Sequence, residues 1–446
     1  MNYTTIQTQE YFKRYAVRRE KLHRRNRYYY SYVESLVRFL TPDNKKVLSI
    51  TSPMIDVLSG TGIYDYVTVS DALGYIYDIE NFFKDVYGAL KSDGRVIVTQ
   101  YSALWEPILR LASHLGLRMP PIEQNWISSI DLNTFLNLAG FEVISSGSKM
   151  LCPVHIPIIS YLLNAYVANI FPFNKLGLIH YAVARKASQQ AKVNNVRDSR
   201  LSADSQLPSI SIIVPARNEA GTIKKIAEEL PTLGSFTEVI FVEGNSTDDT
   251  RDVIKKVAAE YRGPLKIICA VQDGKGKGDA VRKGFDMATG DILAIFDADM
   301  TVPPEEMSKF YSALVNNRGD FINGSRLVYP MEKQSMRLLN FFGNKFFSYA
   351  FSAILGQTLK DTLCGTKVIW RKDYESIKEN RAFFGDFDPF GDFDLLFGAA
   401  KLNLKIVDLP VHYKDRKYGA TNISRWKHGW LLLKMTWFAA RKLKFR

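Results

Sequence analysis

The sequence predicts an α/β protein of two domains, on three observations. Short apolar runs of the kind that form buried strands alternate with helical stretches in both halves, the pattern of doubly wound sheets. The halves are separated by residues 188–207, rich in Ser, Gln, Asn and Asp and without apolar periodicity. A length of 446 residues leaves enough chain for two separate cores. The expected boundaries are 1–187, a linker over 188–207, and 208–446.

Hydrophobic residues at 46% and charged residues at 24% fit a folded globular protein. The formal charge of +13 sits at the ends. Residues 1–30 carry eight Lys or Arg against two Glu, and residues 416–446 carry nine against no acid. Such clustering points to local contact with an anionic surface rather than to general solubility. Cys152, Cys269 and Cys364 are widely spaced and odd in number, which excludes a disulfide framework and a zinc site and suits a reducing compartment. No apolar signal core opens the sequence and no run of 18 apolar residues occurs, so no spanning helix is expected.

In the first half, residues 9–40 read as a basic helix with interspersed aromatics. A lipid-headgroup or nucleic-acid contact and a plain solvated face both fit it. Val47–Ile50 is a strand, Tyr64–Ser70 a second, Ile79–Leu90 a helix and Gly94–Gln100 a third strand. Residues 151–183 are apolar but broken by Pro153, Pro157 and Pro172, which suits either an interfacial segment or a hairpin finishing the sheet.

The run Tyr64-Asp65-Tyr66-Val67-Thr68-Val69-Ser70-Asp71-Ala72-Leu73, with Ala89-Leu90-Lys91-Ser92-Asp93-Gly94-Arg95-Val96-Ile97-Val98 after it, resembles the later half of a class I S-adenosylmethionine methyltransferase. That family has a Gly-rich loop after its first strand. Here Ile50 is followed by Thr51-Ser52-Pro53-Met54, no glycine comes before Gly60, and the usual second and third strands do not fit before Tyr64. The resemblance therefore implies a truncated, Rossmann-like domain with a structural or docking role. S-adenosylmethionine is not expected as a ligand.

In the second half, Ile210–Val214 is a strand running into Pro215-Ala216-Arg217-Asn218-Glu219, with a helix from Thr222. Glu238–Val242 is the next strand and ends at Glu243-Gly244-Asn245-Ser246. Leu265–Ala270 is the third, and Ile292–Phe296 the fourth. Each ends in a polar loop that opens a helix, and in an open sheet such carboxyl ends face one crevice. The fourth strand closes in Asp297-Ala298-Asp299. In extended backbone, residues two apart point the same way, so both carboxylates are expected to address one hard divalent cation, Mg2+ or Mn2+, and through it a diphosphate. Asn218 and Glu219 suit ribose or base contacts, and Glu243 a base edge. Gly274-Lys275-Gly276-Lys277-Gly278 offers backbone freedom and two ammonium groups where a diphosphate needs counter-charge.

Together these loops resemble a family 2 glycosyltransferase of the GT-A fold over residues 208–446, closest to the polyprenyl-phosphate sugar transferases. The resemblance implies a nucleotide site at Pro215, Ala216, Arg217, Asn218, Glu219, Glu243 and Ser246, with Lys275, Lys277 and Ala298 beside it and the metal on Asp297 and Asp299. It places Arg326, in Asn323-Gly324-Ser325-Arg326, at the sugar or its phosphate. Lys367 follows Asp361-Thr362-Leu363-Cys364-Gly365 and, with Arg416, falls at a position that gathers phosphates. Asp394, in Gly391-Asp392-Phe393-Asp394, falls near the acceptor. Glu243 stands where the family usually has Asp, so the base preference stays open.

An acceptor phosphate is largely ionised at neutral pH and needs cations, for which Arg326, Arg337, Lys367 and Arg416 are the candidates. A sugar hydroxyl needs a general base instead, Asp394 or Asp392. Two segments favour a lipid acceptor. Between Met336 and Gln357, Arg337, Asn340, Asn344 and Ser348 share one helix face and aromatics cover the rest. In the C-terminal helix Trp426, Trp430, Leu433 and Trp437 form a stripe beside Lys427, Lys434 and Arg441. Both read as interfacial helices. The expectation is an inverting, metal-dependent glycosyltransferase, peripheral at the cytoplasmic face of the cell membrane. Its partners are a nucleotide-diphosphate sugar and a lipid-phosphate or glycan acceptor, without nucleic acid.

Overall fold

The computed structural model describes residues 6–51, 60–119, 124–187, 207–326, 328, 338–381, 391–414, 418 and 425–445. The chain divides into two compact units, residues 1–187 with 443–446, and residues 188–442.

In the first unit the basic N-terminal stretch forms three helices rather than one: α1 (Ile6–Arg14), α2 (Ala16–Arg25) and α3 (Arg27–Leu40), broken where Tyr15 and Asn26 leave helical dihedrals. The strands are β1 (Val47–Thr51), β2 (Tyr64–Ser70), β3 (Leu90–Tyr101), β4 (Phe141–Lys149) and β5 (Ile179–Lys186). They form one sheet in the order β1-β2-β3-β5-β4. Only β1, β2 and β3 are parallel, and β5 runs antiparallel to both neighbours, so the sheet is mixed rather than doubly wound throughout. Helix α4 (Ile79–Ala89) starts at Asp78, whose carboxylate accepts from the Asn81 amide. It lays Phe82, Phe83 and Val86 on Val67, Val69, Val96 and Val98. A short helix, α5 (Glu106–His114), follows β3, and α6 (Ser129–Leu138) opens with a reciprocal Ser128–Asp131 cap. The apolar stretch after β4 contains α7 (Ile159–Ala165) and two 3-10 turns before it returns as β5. It is thus both an excursion and the hairpin that completes the sheet.

The second unit holds β6 (Ile210–Ala216), β7 (Thr237–Glu243), β8 (Lys266–Val271), β9 (Ile292–Ile295), β10 (Phe321–Ser325), β11 (Lys367–Trp370) and β12 (Ile406–Pro410). Their order is β12-β10-β11-β9-β6-β7-β8. The four strands expected from sequence, β6 to β9, are mutually parallel, while β11 is antiparallel to β9 and β10. The β6–β9 pairing ends with Ile213 opposite Ile295, so Asp297 follows directly beyond the carboxyl end of β9. The connecting helices are α8 (Ala220–Glu229), α9 (Thr250–Glu260), α10 (Lys277–Met287) and α11 (Met307–Val315). After them come α12 (Leu338–Leu355), α13 (Arg371–Glu379), α14 (Asp392–Lys401) and α15 (Arg425–Ala439).

On helix α12 Asn344 and Ser348, which the spacing puts on one face, are buried, whereas Phe346 and Tyr349 are exposed. The reason is hydrogen bonding: Asn344 donates to the Asp361 carboxylate at 2.8 Å, and the Ser348 hydroxyl donates to the Leu359 carbonyl. On α15 the exposed residues include Trp430, Leu433 and Trp437, while Leu432 and Met435 are buried. Among the described residues no helix is long and apolar enough to cross a membrane. Arg337 lies outside the described residues, as do the side chains of Asn340, Trp426 and Lys427.

Candidate functional site

The loops after β6 and β7 are tied into one knot. Asn218 takes a left-handed conformation (φ 58°), which Asn tolerates because its short amide bonds locally. Its amide oxygen accepts from the Thr247 N–H at 2.8 Å, and its own N–H donates to the Ser246 hydroxyl at 3.1 Å. The buried Glu243 carboxylate accepts from the Ser246 N–H at 2.5 Å, and the Glu219 N–H donates to the Thr250 hydroxyl at 2.9 Å. Ala216 pairs with Glu243 across the sheet, next to Pro215. The structure thus brings together Asn218, Glu219, Glu243 and Ser246, and leaves the Arg217 and Lys275 side chains exposed.

The acidic motif differs from the extended geometry expected. β9 stops at Ile295, and Asp297-Ala298-Asp299 lies in a turn closed by the Met300 N–H on the Asp297 carbonyl at 3.2 Å. Side-chain alternation along a strand therefore does not aim the two carboxylates. Asp297 meets the Lys277 ammonium at 2.6 Å, at the start of α10. Asp299 accepts from the Thr301 N–H at 3.1 Å and its hydroxyl at 2.8 Å. Ala298 between them is buried.

The other expected residues form further ion pairs. Lys367, fully buried, faces Asp392 at 3.0 Å and donates to the Cys364 carbonyl. Arg326 grips Asp361 with two guanidinium bonds, 2.7 and 2.9 Å, plus its own N–H at 3.1 Å. Its guanidinium also lies over the Tyr413 ring. Asp394 stands 3.8 Å from Arg282 and 3.6 Å from Arg381. Arg416 lies outside the described residues.

Electrostatics joins these pairs into one cluster. Burial pushes the Asp297 carboxyl up, but Lys277, Lys367 and Arg326 outweigh it and hold it below the usual carboxylate range. Burial works against the Lys277 charge, and Asp297, Asp392 and Asp299 reverse that, raising its pKa. Burial likewise opposes ionisation of Asp361, yet Arg326 and Asn344 bring it down to about 2. Asp361 is the residue the sequence reading passed over. It is visible only as the first member of Asp361-Thr362-Leu363-Cys364-Gly365, and nothing local marks it as the partner of an arginine just beyond the end of β10.

Among the described residues no group of three or more His, Cys, Asp or Glu side chains is arranged to hold a metal ion. The donor set nonetheless fits Mg2+ or Mn2+ better than a metal needing an all-protein cage. Such ions take one or two carboxylates and complete their shell from water and substrate phosphate, and Asp297 and Asp299 are two carboxylates on one turn.

Residues 211–378 match the model of Glycosyl transferase family 2. The second unit carries a family 2 glycosyltransferase domain. The glycosyltransferase AglJ of Haloferax volcanii is 27% identical over 226 residues, covering 50% of this chain and 69% of that protein. The low-salt glycan biosynthesis hexosyltransferase Agl6 of the same organism is 29% identical over 236 residues, 52% of this chain and 54% of that protein. Dolichol-phosphate mannosyltransferase of Pyrococcus furiosus is 31% identical over 121 residues, 27% and 33% of the two chains. The chain thus spans about two thirds of the first of these relatives, half of the second and a third of the last. The expectation of a glycosyltransferase holds.

In this glycosyltransferase domain Gly365 is a close-approach position. A Cβ there would collide with the Asp297 carboxylate and the Lys277 ammonium. Both are ends of side chains that can swing aside, so Gly365→Ala is expected to change the melting temperature little. Swinging them aside dismantles the pair, and sugar transfer is expected to fall by about 10²-fold. Turnover beside a thermal melt measures this, and wild-type turnover would show that the pair tolerates displacement.

Proposed function

We propose that the second unit moves a hexosyl group, with inversion, from a nucleoside-diphosphate sugar to the phosphate of a polyprenyl lipid at the inner face of the cell membrane. The observation that carries this reading is the clustering of Lys277, Arg326 and Lys367 around Asp297 at the carboxyl ends of parallel strands. An anionic donor and an anionic acceptor both need cations there. Relatives named as acting on dolichol phosphate, from Pyrococcus furiosus and Methanococcus voltae, support the lipid acceptor. So do the outward aromatics of α12 and α15.

In this reading the knot of Asn218, Glu219, Glu243 and Ser246 shapes the nucleotide pocket. The N-terminal turn of α10, with Lys277, stabilises the diphosphate as charge develops on it. Asp297 and Asp299 would hold Mg2+ or Mn2+, which supplies Lewis-acid stabilisation of the leaving diphosphate. Arg326 orients an acceptor phosphate. The alternative, a sugar hydroxyl acceptor with Asp392 or Asp394 as base, is less well supported, because Asp392 already faces Lys367 and Asp394 already faces two arginines.

For the first unit we infer a degenerate methyltransferase-like domain with a docking role. Its β1-β2-β3 core is parallel, and the crevice beyond β2 is occupied by the chain's own side chains. Tyr29 donates to both Asp71 oxygens at 3.1 and 2.9 Å and stacks on Tyr101, which Arg118 covers. Burial pushes the Asp71 carboxyl up to about 6, against the Tyr29 hydrogen bond and Arg118.

A screen of UDP- and GDP-sugars against the full chain, with and without short polyprenyl phosphate, tests the proposal. The expected product is a glycosylated lipid phosphate. Transfer to free glycans with none to lipid phosphate would overturn the acceptor assignment.

A further inference from the structure

We propose that the first unit carries a docking face for an anionic lipid bilayer, built from α5 and the excursion between β4 and β5. Leu104, Ile108, Leu111 and Leu115 recur every three or four residues along α5 and its ends, one face of the helix. All four are more than half exposed, as are Ile158 and Phe171 on the excursion, at 75% and 71%. The opposite side of α5 is the one that packs inward, through Leu109 against the cluster of Tyr29, Val33 and Ile179. The excursion returns to the sheet beside the start of α5. Trp105 donates its indole N–H to the Leu176 carbonyl at 2.8 Å, and the Ser102 N–H donates to the Leu178 carbonyl at 2.7 Å. Apolar side chains exposed at regular spacing along one helix face, with more on the neighbouring excursion, mark a binding face rather than scatter.

Charge selects the occupant. Val143 to Ala187 contains no Asp or Glu. The one carboxylate on α5, Glu106, is paired with Arg110 at 2.6 Å. Lys175 lies over the Phe171 ring at 5.5 Å, an ammonium at an apolar border. Basic α2 flanks the far end of α5: the Asn26 amide reaches the Leu117 carbonyl at 3.4 Å, and the Arg18 guanidinium borders Gly116. α2 carries Arg18, Arg19, Lys21, Arg24 and Arg25 against Glu20, which itself pairs with Arg24. A second copy using this same face would have little to offer those cations, because the face holds no carboxylate beyond the paired Glu106 and Glu20. An anionic bilayer meets both the apolar stripe and its cationic rim.

The inference stands on the first unit alone and survives any outcome of the sugar-transfer screen. The test is flotation of the full chain with phosphatidylcholine vesicles, with and without phosphatidylglycerol. Wild type is expected to float with the anionic vesicles. Ile108→Glu/Leu111→Glu and Ile158→Glu/Phe171→Glu are each expected to weaken that by ~10-fold or more, and Lys21→Glu/Arg25→Glu to remove the preference for anionic lipid. Far-UV circular dichroism and a thermal melt are the control for folding and are expected to be unchanged. Wild type that stays with the protein fraction, or double variants that float like wild type, would overturn the proposal. So would light scattering showing a wild-type dimer that these substitutions split, which assigns the face to a second copy.

Discussion

Replacing Asp299 by alanine is expected to cut sugar transfer by ~10²–10³-fold, the size of effect that follows loss of a stabilising charge at a developing anion, here the divalent cation the carboxylate would hold. The residue also has a structural task, since its Oδ1 accepts from the Thr301 N–H and hydroxyl. Asp299→Asn separates the two roles, because an amide oxygen still accepts from Thr301 while the charge is gone. Both variants are expected to be inactive, and the asparagine variant to melt close to wild type. Asp297→Asn should be inactive as well, and it leaves Lys277 without the carboxylate it meets at 2.6 Å. Turnover measured across a Mg2+ and Mn2+ titration is the decisive readout. Full, metal-independent activity in Asp299→Ala would remove the acidic motif from the mechanism.

The parts of this molecule that sequence exposes are those written in local pattern. β6, β7 and β9 are buried on both faces, so each reads as a mainly apolar run ending in polar loop residues. The polar exceptions are Ser211 in β6 and Thr237 and Glu238 at the start of β7. β10 and β11 are hidden by the same logic. Phe321–Ser325 carries Asn323 and Ser325, and Lys367 opens β11, yet all three are buried. Their polar atoms are drawn in by partners far along the chain, as when the Asn323 amide donates to the Asp361 carbonyl and the Asp408 carboxylate. Periodicity cannot announce such bonds. The same holds for α12, where helical spacing groups Asn344 with Ser348 on one face but cannot show that Asn344 donates to the Asp361 carboxylate. The turn at Asp297-Ala298-Asp299 was misread as extended because Met300, at φ 53°, bends the chain without glycine or proline to signal it. In the first unit the loss of a parallel strand pattern after β3 is a matter of topology, since β5 inserts between β3 and β4.

Asp361→Ala is expected to destabilise the second unit by about 3–5 kcal/mol, the cost of leaving a buried guanidinium without its carboxylate. The Asp361 side chain is wholly buried and receives Arg326, Asn344 and the Leu363 N–H. Alanine therefore orphans donors on β10's end, α12 and the intervening loop together. Adding Arg326→Met to Asp361→Ala removes the uncompensated charge and is expected to recover part of the loss, a coupling that urea denaturation of the single and double variants measures. The pH dependence has a definite sign. Asp361 has a folded-state pKa of about 2 against an ordinary value of 3.8. Its ionisation thus contributes stability that is present above about pH 4 and lost as pH falls through 2, on the order of 2 kcal/mol. Arg326 stays charged throughout, so the carboxylate alone titrates. Asp361→Asn should flatten this section of the acid limb, and its melting temperature should vary less than that of wild type between pH 4 and 2. Because Asn344 ties the same carboxylate to α12, whose Phe346 and Tyr349 face outward, the variant should also loosen that helix. Faster amide exchange along α12 in Asp361→Asn would register this, whereas acid limbs that superimpose would show that the Arg326 pair contributes nothing to the folded state.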